Sequence, residues 1–265
     1  MRERSGASMH TDQPPEWISA RLELKVLGQP VRFEIPVSTA PARPADLLPQ
    51  FRAMGEALVG FSVRAIEADG QAVSCTKGCG ACCRQMVPVT EVEARMLRDV
   101  VAGMPEPRQT VVLNRFASAR ERLTEAGLLD RLMNPEKLLP EDVRDVSLSY
   151  FQLHIACPFL EDESCSIYED RPIACREYLV TSPAANCATP SAETVKGVPV
   201  PIRASHALAR LGTSRFVPLT VAPEWAENHP DVVEPRPGPE ILRDFIEYLV
   251  GRKIGPVGAA TPIDG

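Results

Sequence analysis

Cys75-Thr76-Lys77-Gly78-Cys79-Gly80-Ala81-Cys82-Cys83 places four thiols within nine residues. The other four cysteines of the 265-residue chain follow as a spaced series, Cys157, Cys165, Cys175 and Cys187, and none lies outside the interval 75–187. A thiolate is a soft, charged donor that suits zinc and iron. Several of them on a short, bendable stretch can converge without a large closure entropy. Such crowding predicts a metal site whose binding energy doubles as folding energy for the middle of the chain.

Gly78 and Gly80 flank Cys79, and the expectation is that both give the backbone angles that turn amide protons towards sulfur. The side chains of the vicinal pair Cys82-Cys83 point in different directions, so the two serve different ions or one packs as a small hydrophobe. The second series is separated by seven, nine and eleven residues. These intervals are too wide for one local knuckle, and each cysteine is expected to enter from a separate turn. Eight thiolates around two divalent ions leave roughly four negative charges by ligand counting. Lys77, Arg84, Arg171 and Arg176 adjoin the cysteines and either offset that excess or form an ordinary solvated face.

Length and composition bound the alternatives. A chain of this size can bury a large core and does not need cross-links to fold. The N-terminal MRERSGASMHTDQPPEW has no apolar targeting core, and no stretch approaches the roughly 20 apolar residues of a spanning helix. A soluble, cytoplasmic protein with no membrane association is therefore expected. In that compartment thiols stay reduced, which leaves metal binding or redox chemistry as reasons to cluster them. A net charge of −6 disfavours nucleic acid as a partner, because neutralising phosphates needs a basic surface.

The pattern along the chain predicts a mainly helical fold with a small N-terminal β-hairpin and an irregular, metal-stabilised cysteine-rich centre. Residues 1–17 read as a flexible tail. In residues 18–69, Leu22, Leu24, Val26 and Val31, Phe33, Ile35 alternate with polar residues about a break at Leu27-Gly28-Gln29-Pro30, which is a hairpin pattern. Leu47, Phe51, Met54, Leu58, Phe61 and Ala65 then form one apolar helical stripe to cover it. Within the cysteine-cluster domain, 70–190, Thr90 and Glu93 have capping-box spacing, and further helices are expected over Pro107–Gly127 and from Pro140 to Leu153. Residues 191–265 combine a Pro-rich segment, a helix near Pro239–Val250 and a flexible end, GPVGAATPIDG.

On CTKGCGACCRQMVPVTEVEA (75–94) and CPFLEDESCSIYEDRPIACREY (157–178), with their Cys-Ser-Ile-Tyr and Arg-Pro-x-x-Cys-Arg elements, the chain resembles the YkgJ family of cysteine-cluster proteins. That family is also called the CxxCxxCC, zinc- or iron-chelating domain. The resemblance implies that Cys75, Cys79, Cys82, Cys83, Cys157, Cys165, Cys175 and Cys187 chelate zinc or iron, the iron including an iron-sulfur cluster. It leaves the molecular role, and whether there is catalysis, unassigned. Flagellin lysine methylases carry a similar cysteine pattern, so an iron-sulfur, protein-modifying enzyme is the alternative, alongside a redox-sensing thiol module.

The remaining candidates are weaker. His154 would share a helix side with Cys157 if the helix from Pro140 continued that far, and it reads as a backbone-bonded histidine more readily than as a ligand. Glu161, Asp162 and Glu163 read as a solvated loop rather than an acid-base group. Tyr150, Phe151, Phe159, Tyr168 and Tyr178 gather around the second cysteine series as core or as a shield for the metal. A protein partner is compatible with a closed metal site, and no phosphate-cradling, nucleophile-elbow or dinucleotide motif is present.

Overall fold

Alternation builds the N-terminal element as expected. In the computed structural model, which describes residues 16–191, 193–254 and 261–263, β1 (Trp17–Val26) and β2 (Gln29–Ser38) pair antiparallel from Trp17 opposite Ser38 to Val26 opposite Gln29. The turn is tighter than the sequence break suggested: it is Leu27-Gly28 alone, with φ of 50° and 79°. Two left-handed residues match the twist of paired strands. Leucine is poorly suited to that region and is 59% exposed here, so its side chain contributes little in return. Leu27→Asn is expected to stabilise the protein by about 1 kcal/mol, read as a rise of roughly 2–4 °C in the thermal midpoint; an unchanged or lower midpoint contradicts this turn.

Ala20, Leu22, Leu24 and Val26 of β1 and Ile35 and Val37 of β2 form the buried face. After the two-residue strand β3 (Pro41–Ala42), α1 (Leu48–Ala68) lays Leu48, Phe51, Met54 and Leu58 against it. The helix stops at a left-handed Gly70, with the Gln71 amide returning to the Ile66 carbonyl at 3.0 Å.

Next, β4 (Pro88–Thr90) leads into α2 (Glu91–Ala102) through the expected capping box, with the Glu93 amide donating to Thr90 Oγ1 at 3.2 Å and the Thr90 amide donating to Glu93 Oε2 at 3.0 Å. Three helices follow: α3 (Glu106–Glu125), α4 (Leu129–Met133) and α5 (Pro140–Gln152). The cysteine-rich stretch after α5 contains the miniature hairpin β5 (Leu160–Glu161) and β6 (Ser164–Cys165), the short α6 (Ile173–Glu177) and two 3-10 turns, Tyr168–Asp170 and Ala184–Ala188.

The Pro-rich segment holds more structure than its composition signalled: α7 (Ala204–Arg210), β7 (Phe216–Pro218), α8 (Ala222–Asn228) and β8 (Arg236–Pro237). Strand β7 pairs antiparallel with β4, and β8 with β3. Finally, α9 (Gly238–Val250) places Ile241, Leu242, Phe245 and Ile246 on the hairpin beside α1. The cover over the hairpin is thus shared, and Phe51 stacks on Phe245 with ring centroids 4.1 Å apart.

The chain ends correct two expectations. Residues 1–15 of the tail lie outside the described residues, and Trp17 already belongs to β1. Of the C-terminal GPVGAATPIDG, β9 (Thr261–Ile263) pairs parallel with Leu22–Leu24, giving the sheet order β2-β1-β9; residues 255–260 and 264–265 lie outside the described residues. Two main apolar clusters result. One joins the hairpin, α1, α7 and α9, and the other joins α2, α3, α4, α5 and α8 with Ile155, Phe159 and Ile167 of the cysteine-rich centre. Among the described residues no helix is long and apolar enough to cross a membrane.

Candidate metal centre

The first cysteine burst lies on a loop held almost wholly by backbone and polar contacts. Ser74 is fixed to a distant turn, its amide donating to Val180 O at 2.8 Å and its hydroxyl to Thr181 O at 3.1 Å, and the Val180 amide in turn donates to Cys75 Sγ at 3.4 Å. Gly78 has φ +89°, as a turning glycine should. Gly80 does not: its φ is −92°. Its role is close approach, since a Cβ there would sit 2.5 Å from Glu163 Oε2 and 2.8 Å from Leu160 Cδ1. Cys82 and Cys83 follow on a 3-10 turn, Ala81–Arg84.

Arg84 locks this turn to the β5–β6 hairpin, donating to Gly80 O at 3.0 Å and to the two carboxylate oxygens of Glu163 at 2.9 and 2.5 Å. Gly80→Ala is therefore expected to cost about 1–3 kcal/mol by overpacking and to part the two segments. The check is chemical denaturation together with faster thiol labelling at Cys82 and Cys83; unchanged stability and labelling would refute the close approach.

The second series arrives from three directions. The Cys157 amide donates to Cys83 O at 2.7 Å, and Leu160 stands opposite Cys165 across the miniature hairpin, whose turn residues Asp162 and Glu163 have φ of 47° and 56°. Cys175 rides on α6, and the Ile173 amide at the start of that helix donates to Glu93 Oε1 at 2.7 Å. Glu93 thus caps α2 with one carboxylate oxygen and holds α6 with the other. Sequence reasoning found the first of these functions and missed the second, which no local pattern reveals. Arg176 lies buried beneath, donating to Arg171 O at 2.9 Å, Glu169 O at 2.6 Å and Tyr168 O at 3.2 Å, and pairing with the Glu56 carboxylate. Cys187, buried, sits on the 3-10 turn Ala184–Ala188, which packs against Ala81–Arg84.

All eight cysteines are unpaired. They occupy two neighbourhoods. Cys157, Cys165 and Cys175 pack against the α2–α5 core, and they feel one another's charge. Burial pushes the Cys157 thiol up to about 12 against a stabilising Phe159 amide, with Cys165 and Cys82 adding to the rise. Burial likewise raises Cys175 well above the usual thiol range, with Cys157, Glu93 and Cys165 contributing. It raises Cys165 too, where the Ile167 amide, Arg171 and Arg176 pull the other way. On the opposite side, Cys75 and Cys187 are raised by burial and then by each other's neighbours, Cys79 and Cys82 among them. Cys82 is raised above all by its hydrogen bond with Cys83, and then by burial. The amides aimed at sulfur include those of Val180, Phe159 and Ile167 from outside the glycine loop and that of Cys82 within it.

Among the described residues no group of three or more His, Cys, Asp or Glu side chains is arranged to hold an ion. The thiols share neighbourhoods rather than bonding distances. In donor chemistry the set fits zinc or iron: eight soft sulfurs, each neighbourhood a charge burden that protons now relieve and a divalent cation would relieve better. Of the adjoining cations, Arg171 faces the thiols, lowering Cys82 and Cys165 while its guanidinium lies 4.3 Å from the Tyr168 ring centroid. Arg176 lowers Cys165, Arg84 is engaged by Glu163, and Lys77 is exposed.

Residues 74–194 match the family model described as "CxxCxxCC: Putative zinc- or iron-chelating domain". Over this stretch, somewhat less than half of the chain, the protein is similar to the CxxCxxCC family. No curated protein and no solved structure matches the chain. The matched stretch contains all eight cysteines and begins at Ser74, the residue whose two hydrogen bonds fix Cys75 beside Val180.

The other residues singled out in the sequence are distributed around the domain. Helix α5 ends at Gln152, and His154 has φ 49°, so His154 and Cys157 do not share a helix side. The His154 ring lies edge-on to Phe151 at 5.9 Å. Glu161 pairs with Arg115 at 3.2 Å and Glu163 with Arg84, so the acidic loop is exposed yet tied down. Tyr150 and Phe159 are core, Tyr168 is exposed, and Tyr178 borders Cys187, Cys82 and Cys75. A cleft of about 550 Å³ opens beside the loop, lined by Cys79, Arg84, Phe151, His154 and Glu163 among others.

Proposed function

We propose that this chain is a cytoplasmic metal-binding protein in which Cys75, Cys79, Cys82, Cys83, Cys157, Cys165, Cys175 and Cys187 provide the donors for zinc or iron, in closed sites that tie four separate backbone segments together. One observation carries the reading: the free thiols of the 75–83 loop, the Cys157–Cys165 segment and the Cys187 turn meet at the Ala81–Arg84 turn, with Cys175 of α6 within electrostatic reach of Cys82, inside a stretch that matches a chelating domain. A metal there supplies charge neutralisation and a cross-link, and the free state of the thiols supports a reducing compartment. The acidic balance supports a role without nucleic acid.

A second reading, an iron-sulfur enzyme such as a flagellin-lysine-methylase-like protein modifier, is favoured by the cleft, which brings Cys79 to a wall shared with His154 and Arg84. Metal and acid-labile sulfide per chain, measured on anaerobically purified protein, separate the two. Colourless protein with stoichiometric zinc supports the closed site; brown protein with sulfide supports the enzyme. Protein that arrives without metal and takes up neither zinc nor ferrous iron overturns both.

A further inference from the structure

Residues 194–223 contain Lys196, Arg203, Arg210 and Arg215 and no acidic residue, in a chain whose net charge is −6. The fold gathers these arginines. Helix α7 buries Ala204, Ala207 and Leu208 in the core it shares with the hairpin, and leaves Arg203, His206 and Arg210 exposed at intervals of three and four, which puts them on one face. The inner side of the helix is fixed, since the Ser205 amide and hydroxyl both donate to the buried Glu177 carboxylate, at 3.1 and 2.5 Å. Arg215, also exposed, adjoins the outer face through its neighbour Phe216, whose ring lies edge-on to that of His206 at 5.7 Å. Many arginines elsewhere are engaged: Arg21, Arg32, Arg84 and Arg120 pair with carboxylates, and Arg108 and Arg122 donate to backbone carbonyls. Among the described residues the side chains of Arg203, Arg210 and Arg215 have neither an ion pair nor a hydrogen bond, and Arg210 has only the Tyr248 ring, 5.9 Å from its guanidinium. Like charges at this spacing repel, and no carboxylate of the fold relieves them.

We propose that the Arg203–His206–Arg210 face of α7, with Arg215 beside it, is a docking surface for an acidic segment of a protein partner. A guanidinium is a rigid fork that donates two parallel hydrogen bonds to one carboxylate. From Arg203 to Arg210 is seven residues of helical rise, about 10 Å, which a run of four acidic residues covers when extended at about 3.3 Å each. The rest of the chain is acidic in balance, so a nucleic acid meets repulsion as soon as it extends past this patch, whereas a short acidic segment touches the patch alone. The face uses no cysteine and lies outside residues 74–194, so its occupancy is measured independently of the metal.

The test titrates the full-length protein into a dye-labelled hexaglutamate peptide, read by fluorescence polarisation at low and at high salt. Saturable binding that weakens with salt is expected. Each of Arg203→Ala, Arg210→Ala and Arg215→Ala should weaken it about two- to fivefold, and the three together by about tenfold or more. Arg144→Ala, which removes an exposed arginine between Glu141 and Asp145 on α5, should leave it unchanged. No saturable binding overturns the surface, as does binding that the triple variant retains or that Arg144→Ala weakens equally. Should the triple variant fold poorly, the wild-type protein still decides through an oligothymidylate of the same charge and label: tighter binding of the oligonucleotide than of the peptide overturns the protein partner in favour of nucleic acid, and weaker binding supports the acidic segment.

Discussion

Removing the metal is expected to release residues 71–87 and the Cys157–Cys187 stretch while leaving the helical cores folded. Gly80 is the only fully buried residue between 71 and 87. Only the partly buried Val73, Met86 and Val87, near its two ends, pack against the apolar clusters, although ordering its backbone costs on the order of 1–2 kcal/mol per residue. Its hydrogen bonds to Val180, Thr181 and Cys157 each contribute about 1 kcal/mol net. A structural zinc site contributes apparent energies of about 10–16 kcal/mol at neutral pH, enough to decide whether the loop is ordered.

The sequence alone suggested that the whole middle of the chain would loosen. The structure narrows this. Helices α2, α3, α5 and α8 share a core built of Leu97, Val112, Leu123, Val146, Tyr150 and Trp225, against whose edge the cysteines pack, and the hairpin, α1 and α9 share another. Amide exchange before and after anaerobic chelation should show protection falling by at least about a thousandfold, equivalent to some 4 kcal/mol, across 71–87 and 157–187, with α2 and α9 little changed. Unchanged protection in the loop, with the metal shown to be gone, would mean that the metal is not what orders it.

Much of this was legible in residue order wherever structure is local. Period two gave β1 and β2, the four-three stripe gave α1, and Thr90 with Glu93 marked the start of α2, because strands, helical faces and caps are set by neighbours within a few residues. Helices α7 and α8 escaped because seven residues hold too few turns for a periodic stripe, and Pro218 and Pro223 break what pattern there is. The sharing of the hairpin face between α1 and α9, and the return of Thr261–Ile263 to β1, are long-range choices that no local window contains.

At the site, the cysteines announced the chemistry, but the reasons for two glycines differed. Gly78 is needed for its angle and Gly80 for its missing side chain, a distinction visible only once Glu163 and Leu160 stand beside it. Glu93 shows the same limit: its tie to Ile173 spans 80 positions.

Metal affinity is expected to climb steeply with pH, the second large effect. Burial and mutual charge raise the thiols of Cys75, Cys157, Cys165, Cys175 and Cys187, Cys157 to about 12, and the hydrogen bond with Cys83, then burial, raises that of Cys82. At neutral pH these six thiols are therefore protonated in the metal-free protein, and an ion must displace one proton for each of them that it takes. Each displaced proton makes the affinity about tenfold stronger per pH unit, so a four-thiol site gains up to roughly 10⁴ between pH 6 and pH 7.

The metal-free fold responds in the opposite sense. Its thiols hold protons that an unfolded chain releases near pH 8.5. The stability they confer is therefore complete below about that pH and is lost as the pH rises towards the folded values, near 12 at Cys157. Competition against a chromophoric chelator across pH 6–8, with calorimetry in two buffers of different ionisation enthalpy, counts the protons directly. Three or four released per ion is the expected result. A flat affinity with fewer than one proton released would mean that the donors are already ionised or are not these thiols. Alkaline denaturation of the stripped protein, rescued by adding metal at the same pH, would show both signs in one sample, because proton and ion compete for the same sulfurs.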